Sequence, residues 1–169
     1  MSEDKHFLHS SLREEYVEYI FLSKLCSYGW SQDRFVEVAR AHTSAHGYDL
    51  ILSCENVTRH VLLKSSLVDA TTNHKSVNLA LTKKPSGCVI WLKIDPNSLD
   101  PVSFGWLGSR GGKPLSDLGD RVTKRTTPNS SGDKPERKAS RDVTWGRFTK
   151  LTSIEMVFSN LFDTSESED

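Results

Sequence analysis

Gly47-Tyr48-Asp49-Leu50-Ile51-Leu52 and Val61-Leu62-Leu63-Lys64-Ser65-Ser66 are two apolar runs on either side of the polar turn Cys54-Glu55-Asn56. Their length and flanks predict strands over Tyr48–Ser53 and Val57–Lys64, joined as an antiparallel hairpin. An acid opens the first strand and a lysine closes the second. The hairpin therefore brings Asp49 and Lys64 to one end of a sheet. With a period of two, Leu62 shares a face with Lys64, so a leucine is expected to pack into what would otherwise be a wet cleft.

Outward from this hairpin the pattern is helical from Ser10 to Tyr28, with Leu12, Tyr16, Tyr19 and Ile20 on one face. Ser10 or Ser11 is the expected N-cap, Glu14 a capping-box partner, and Gly29 the terminator. Arg34–Arg40 alternates like a short strand, and Ala41–Gly47 is a polar loop. Beyond the hairpin, Val77, Leu79, Ala80 and Leu81 predict a second helix over Lys75–Lys83, broken by Pro85-Ser86-Gly87. Cys88–Ile94 is the most apolar run and the expected central strand, with Ser103–Leu107 a shorter one. Residues 108–141 have loop composition. Strand pieces are expected at Asp142–Val143 and Arg147–Thr149, then a helix capped by Thr152 or Ser153 and running to Phe162. Asp163–Asp169 reads as a disordered acidic tail.

These elements predict a single α/β domain over residues 1–162, with a core at about 10–95 and a basic, loop-rich extension over 96–162. Of the 169 residues, 36% are hydrophobic and 26% charged, ordinary for a globular protein. No run approaches the roughly 20 apolar residues of a membrane span, and the acidic N-terminus is no secretory signal. Cys26, Cys54 and Cys88 are odd in number and lack CxxC spacing, which fits a reducing cytoplasm. Net charge is zero, yet residues 110–150 hold 11 Lys/Arg against 5 Asp/Glu. Such a segment suits either a phosphate-facing surface or a solvated loop. No phosphate-binding loop, dinucleotide fingerprint or nucleophile elbow is present, so no organic cofactor is expected. His42 and His46 have HxxxH spacing but fall in a loop without a second pair.

The order helix, strand, hairpin, helix, strand, with an Asp at the start of the second strand and an xxK on the third, resembles the PD-(D/E)xK superfamily, the restriction-endonuclease-like fold. The likeness covers about residues 10–95, and bacterial proteins with a similar GYDL…RH…KSS block are the nearest in pattern. The resemblance implies an αβββαβ core with a mixed sheet and a Mg²⁺- or Mn²⁺-dependent phosphodiesterase site. It implies Asp49, Lys64 and Glu18 as catalytic residues. Asp49, Glu18 and the Leu63 carbonyl would be the metal ligands. A metal held by carboxylates polarises a phosphate and acidifies bound water, while a lysine offsets developing charge.

Leu62 departs from the family, which has Glu or Gln at that position; leucine cannot bind a cation. Glu14, Glu15 and Glu55 are the candidates for a relocated acid, Glu55 being expected at the far end of the sheet. DNA or RNA is the expected partner, contacted by Ser65, Ser66, Arg110, Lys113, Lys124, Arg125, Lys138 and Arg141, with Trp106 and Trp145 either stacking on bases or anchoring the extension. The alternative is a non-catalytic pseudo-nuclease that binds a protein partner; a dimer fits either reading.

Overall fold

The computed structural model describes residues 2–164. Two helices, α1 (Ser2–Leu8) and α2 (Ser10–Ser31), precede the strands β1 (Val36–Arg40), β2 (Leu50–Cys54), β3 (Val57–Leu67) and β4 (His74–Asn78). Then come β5 (Gly87–Ile94), β6 (Pro101–Gly108), β7 (Val122–Lys124), β8 (Glu136–Thr144), β9 (Thr149–Leu151) and helix α3 (Ile154–Phe162). The large sheet has the order β1-β2-β3-β5-β6-β9 and the small one β4-β8-β7. Every neighbouring pair is antiparallel except β3 and β5.

The large sheet is covered on both faces. Val17, Phe21 and Leu25 of α2 and Val157, Phe158 and Leu161 of α3 close one face over Leu50, Leu52, Val61, Ile90 and Leu92. On the other, Val77 of β4, Leu81 and Val143 of β8 pack with Leu62, Val89, Trp91 and Leu107. A strand buried on both faces reads as a continuous apolar run rather than an alternation, which is why Cys88–Ile94 stood out.

The hairpin, the central strand and the last helix match their sequence reading, and the Ser153 side chain caps α3 by accepting from Met156 N. Four expectations are corrected. First, α2 runs through Gly29 to Ser31 and begins at His9 without a side-chain cap, so there is no capping box. Gly29 serves close packing instead: a Cβ there would meet Arg34 O at 2.4 Å. Second, Lys75–Lys83 is not a helix but β4 followed by a 3-10 helix, Leu79–Lys83, which Asn78 caps by accepting from Ala80 N. The core thus lacks the second α-helix of an αβββαβ succession. Third, residues 108–141 contain β7 and most of β8. Fourth, Asp163 is ordered, accepting from Arg34 Nη1 at 2.7 Å, while residues 165–169 of the expected tail lie outside the described residues.

Candidate functional site

Strand β3 changes partners along its length, and the site lies where it does so. Residues 57–61 pair with β2, and residues 60–67 pair with β5. Beyond Leu50↔Val61, β2 stops and the β2 side of β3 is left open. The chain entering β2 fills part of this step. Asp49 N donates to Val61 O, Asp49 O accepts from Ala41 N, and Asp49 Oδ2 accepts from Leu63 N at 3.0 Å. Asp49 is thereby fixed by its backbone on two sides, and its carboxylate satisfies a strand N–H that has no strand partner. Gly47 makes the approach possible. It has φ of 82°, and a Cβ there would sit 3.0 Å from Leu81 N.

A cavity of about 450 Å³ occupies the step, lined by residues that include Glu14, Glu18, Arg40, Asp49, Leu63, Lys64 and Lys75. The structure therefore brings Glu18, Asp49, Leu63 and Lys64 to one place, from α2, the start of β2, and β3. Lys64 is half-buried, and its ammonium makes no hydrogen bond or ion pair among the described residues. Glu18 Oε1 is buried and lacks a hydrogen bond; Arg40 Nη2 lies 2.9 Å away without hydrogen-bond alignment. Burial raises the Glu18 pKa; the Arg40 charge opposes this, while Asp49 and Glu15 add to it.

Lys75 was missed by sequence reasoning, because its segment reads as a helix with an exposed end. On β4 it faces the large sheet, donates from Nζ to the Ser65 carbonyl at 2.7 Å and lies 5.5 Å from the centre of the Trp91 ring. Burial, then the neighbouring Lys64 charge, brings its pKa down to about 8. Arg40 was also missed; as the last residue of an alternating strand it carries no signal of its own.

Leu62 does not face the cavity. It is 7% exposed and belongs to the core between the two sheets, so the position is dry rather than part of a wet cleft. The relocated-acid candidates divide accordingly. Glu14 and Glu15 line the cavity, with Glu15 accepting from the Tyr19 hydroxyl. Glu55, on the hairpin turn, pairs with Arg34 at 2.9 Å. Among the described residues no three His, Cys, Asp or Glu side chains form a group able to hold a metal by themselves.

The expected nucleic-acid contacts separate as well. Ser65 lines the cavity, but Ser66 is buried and accepts from Trp91 Nε1 at 2.9 Å, which makes it a core residue. Arg110, Lys113, Lys124, Arg125, Lys138 and Arg141 are not among the cavity's lining residues. Lys124 and Arg125 line a cleft of about 590 Å³ with His74, Arg121 and Lys134. Since His74 and Lys75 are adjacent on β4 and line different cavities, the two spaces lie on opposite faces of the small sheet.

Arg141 Nη1 is turned onto the carbonyls of Lys138 and Ser140. Trp106 packs in the helix-side core, with Arg59 over its ring, and Trp145 packs against Trp91 and Phe148. Both anchor the extension. His46 and His60 flank Tyr48 in ring contacts rather than forming a metal group. Cys26, Cys54 and Cys88 are free thiols. Among the described residues no helix is long and apolar enough to cross a membrane. No protein-family model, no curated protein and no solved structure matches this chain.

Proposed function

We propose that the cavity at the β2–β3 step binds the sugar-phosphate backbone of a nucleic acid as a divergent PD-(D/E)xK-like site. The observation carrying this reading is the convergence of Glu18, Asp49, the Leu63 backbone and an unpaired Lys64 on one cavity, from segments far apart in the chain. The donor set suits a hard divalent cation: Glu18 and Asp49 supply carboxylate oxygens, and Glu18 Oε1 makes no hydrogen bond beside its ion pair with Arg40. Asp49, Glu18 and the Leu63 carbonyl would hold one Mg²⁺ or Mn²⁺, which when bound polarises a phosphate and acidifies water.

The chain's own residues do the rest. Lys64 neutralises a non-bridging phosphate oxygen, and Asp49 is kept in place by the Leu63 N–H it accepts. With Leu62 in the core, the motif position itself carries no acid, and Glu14 and Glu15 lie elsewhere in the cavity lining, so backbone binding is the main activity and hydrolysis a slow accompaniment. The basic residues Lys124 and Arg125 line a separate cleft on the other face of the small sheet, so the contact at the β2–β3 step rests on the cavity's own lysines.

Titration calorimetry with Mn²⁺, and retardation of labelled DNA and RNA with and without metal, test this. Binding that needs Asp49 and Lys64 and weakens steeply with salt is the expected result. Absence of retardation at low salt with millimolar metal would refute it. The second reading, a pseudo-nuclease docking a protein partner, is favoured by the burial of Leu62 in a closed core, and would then stand.

A further inference from the structure

The cavity is walled by α2 and by the large sheet with the chain that leads into β2, and the small sheet adds one lining residue, Lys75 of β4. No carboxylate lies within ion-pair distance of its ammonium among the described residues. The Ser65 carbonyl takes one of its three N–H groups, and the Trp91 ring lies on another side. An ammonium held in this way is costly compared with an apolar side chain of the same length, which would pack against Trp91 without desolvating a charge. Its remaining N–H groups have no hydrogen-bond partner among the described residues, and it lines the cavity together with Lys64.

We infer that Lys75 is a second phosphate-binding lysine of this cavity, gripping the nucleic-acid backbone from the small sheet while Lys64 grips it from β3. The inference rests on the backbone-binding reading above and deepens it, because two lysines on different sheets set the path of the strand. The charged groups acting on Lys75 are Lys64 on β3, Lys93 on β5, and Arg13 and Glu14 on α2. Three of these four are cations, so a phosphate placed between the lysines relieves a repulsion that the empty cavity carries. Burial and the Lys64 charge hold the Lys75 pKa at about 8. Binding to the charged form therefore weakens as pH rises through that value.

The test uses a fluorescein-labelled oligothymidine and Mg²⁺, with anisotropy read from pH 7 to pH 9. Lys75→Met is expected to weaken binding about ten- to hundredfold, the loss of one charge-assisted contact, and to flatten the alkaline fall. Lys75→Arg is expected to keep tight binding at the upper end of the range, because its charge persists. Melting of the Met variant serves as the folding control and is expected to be no lower than wild type.

A second measurement is acylation of lysines with and without the oligothymidine, read by mass spectrometry. Protection of both Lys64 and Lys75 supports the inference. Protection of Lys64 alone, with normal binding by Lys75→Met, overturns it and leaves the backbone-binding reading standing. Protection of neither lysine, with no change in anisotropy, overturns both.

Discussion

Leu62→Glu writes the family acid back into β3, and the structure predicts that it damages the protein rather than awakening it. Leu62 is 7% exposed, packed in the core between the sheets with Val77, Leu81 and Val89. Removing the leucine forfeits about 1.5–3 kcal/mol of apolar burial. A protonated carboxyl left there without a partner costs about 1–3 kcal/mol more. The variant is thus expected to lose about 2.5–6 kcal/mol even with the new acid neutral, a large share of a typical domain's stability.

The sign of the pH effect follows from burial, which raises the folded-state pKa of the new acid. The unfolded chain releases its proton first, from about pH 4.3. The extra destabilisation therefore grows as pH rises towards the folded pKa, by about 1.4 kcal/mol per unit, and then levels off. Urea unfolding followed by tryptophan fluorescence at mildly acidic and at neutral pH measures this directly, as the difference from wild type. A variant as stable as wild type at neutral pH, with new Mn²⁺-dependent cleavage, would refute the placement of residue 62 in a dry core.

Asp49→Asn keeps an acceptor for Leu63 N and is expected to stay within about 1 kcal/mol of wild type, whereas Asp49→Ala leaves that N–H unpaired and costs about 1–3 kcal/mol. Both should lose Mn²⁺ heat in calorimetry, and equal stability of the two would argue against the Asp49–Leu63 bond. Glu18→Gln removes a carboxyl whose pKa is raised by burial, so wild type carries a destabilisation that develops as pH rises past the ordinary glutamate value. Melting of the Gln variant is expected to depend less on pH over that range, and a steeper dependence would contradict the burial. Gly105→Ala places a Cβ 2.5 Å from Trp145 Cζ3 and 3.0 Å from Phe148 Cβ. A loss of about 1–3 kcal/mol, with a changed near-ultraviolet tryptophan signal, is expected from this overpacking.

Asp49, Leu63 and Lys64 were legible because the hairpin is local. A turn at Glu55-Asn56 fixes the register, so two charges read from the sequence land where expected. Glu18 followed from a long helical pattern that the structure extends. Lys75 was not legible, since the apolar run Val77, Leu79, Ala80, Leu81 suits a helix as well as a strand followed by a 3-10 turn. What decides is pairing with β8, far along the chain, as in Asn78↔Ser140. Leu62 shows a related limit. Its period assigned it to the face of Lys64, but only the small sheet determines that this face is covered at 62 and open at 64. The basic segment concealed β8 for a similar reason. Only Val143 of that strand is buried, so no alternation marks it.

The partner change along β3 also has a kinetic consequence. Contact between β2 and β3 closes a short loop, whereas β4 must wait for β8, which is separated from it by most of the second half of the chain. Loop-closure entropy makes such distant pairings slow to nucleate and sensitive to chain length. Asp49 and Lys64 should thus meet early in folding, and Lys75 should arrive last. In hydrogen exchange, the amides of β4 and β8 are then expected to open at lower free energy than those of β3 and β5. Lys75, the small sheet's contribution to the cavity lining, would be the part of the site the protein can release without unfolding.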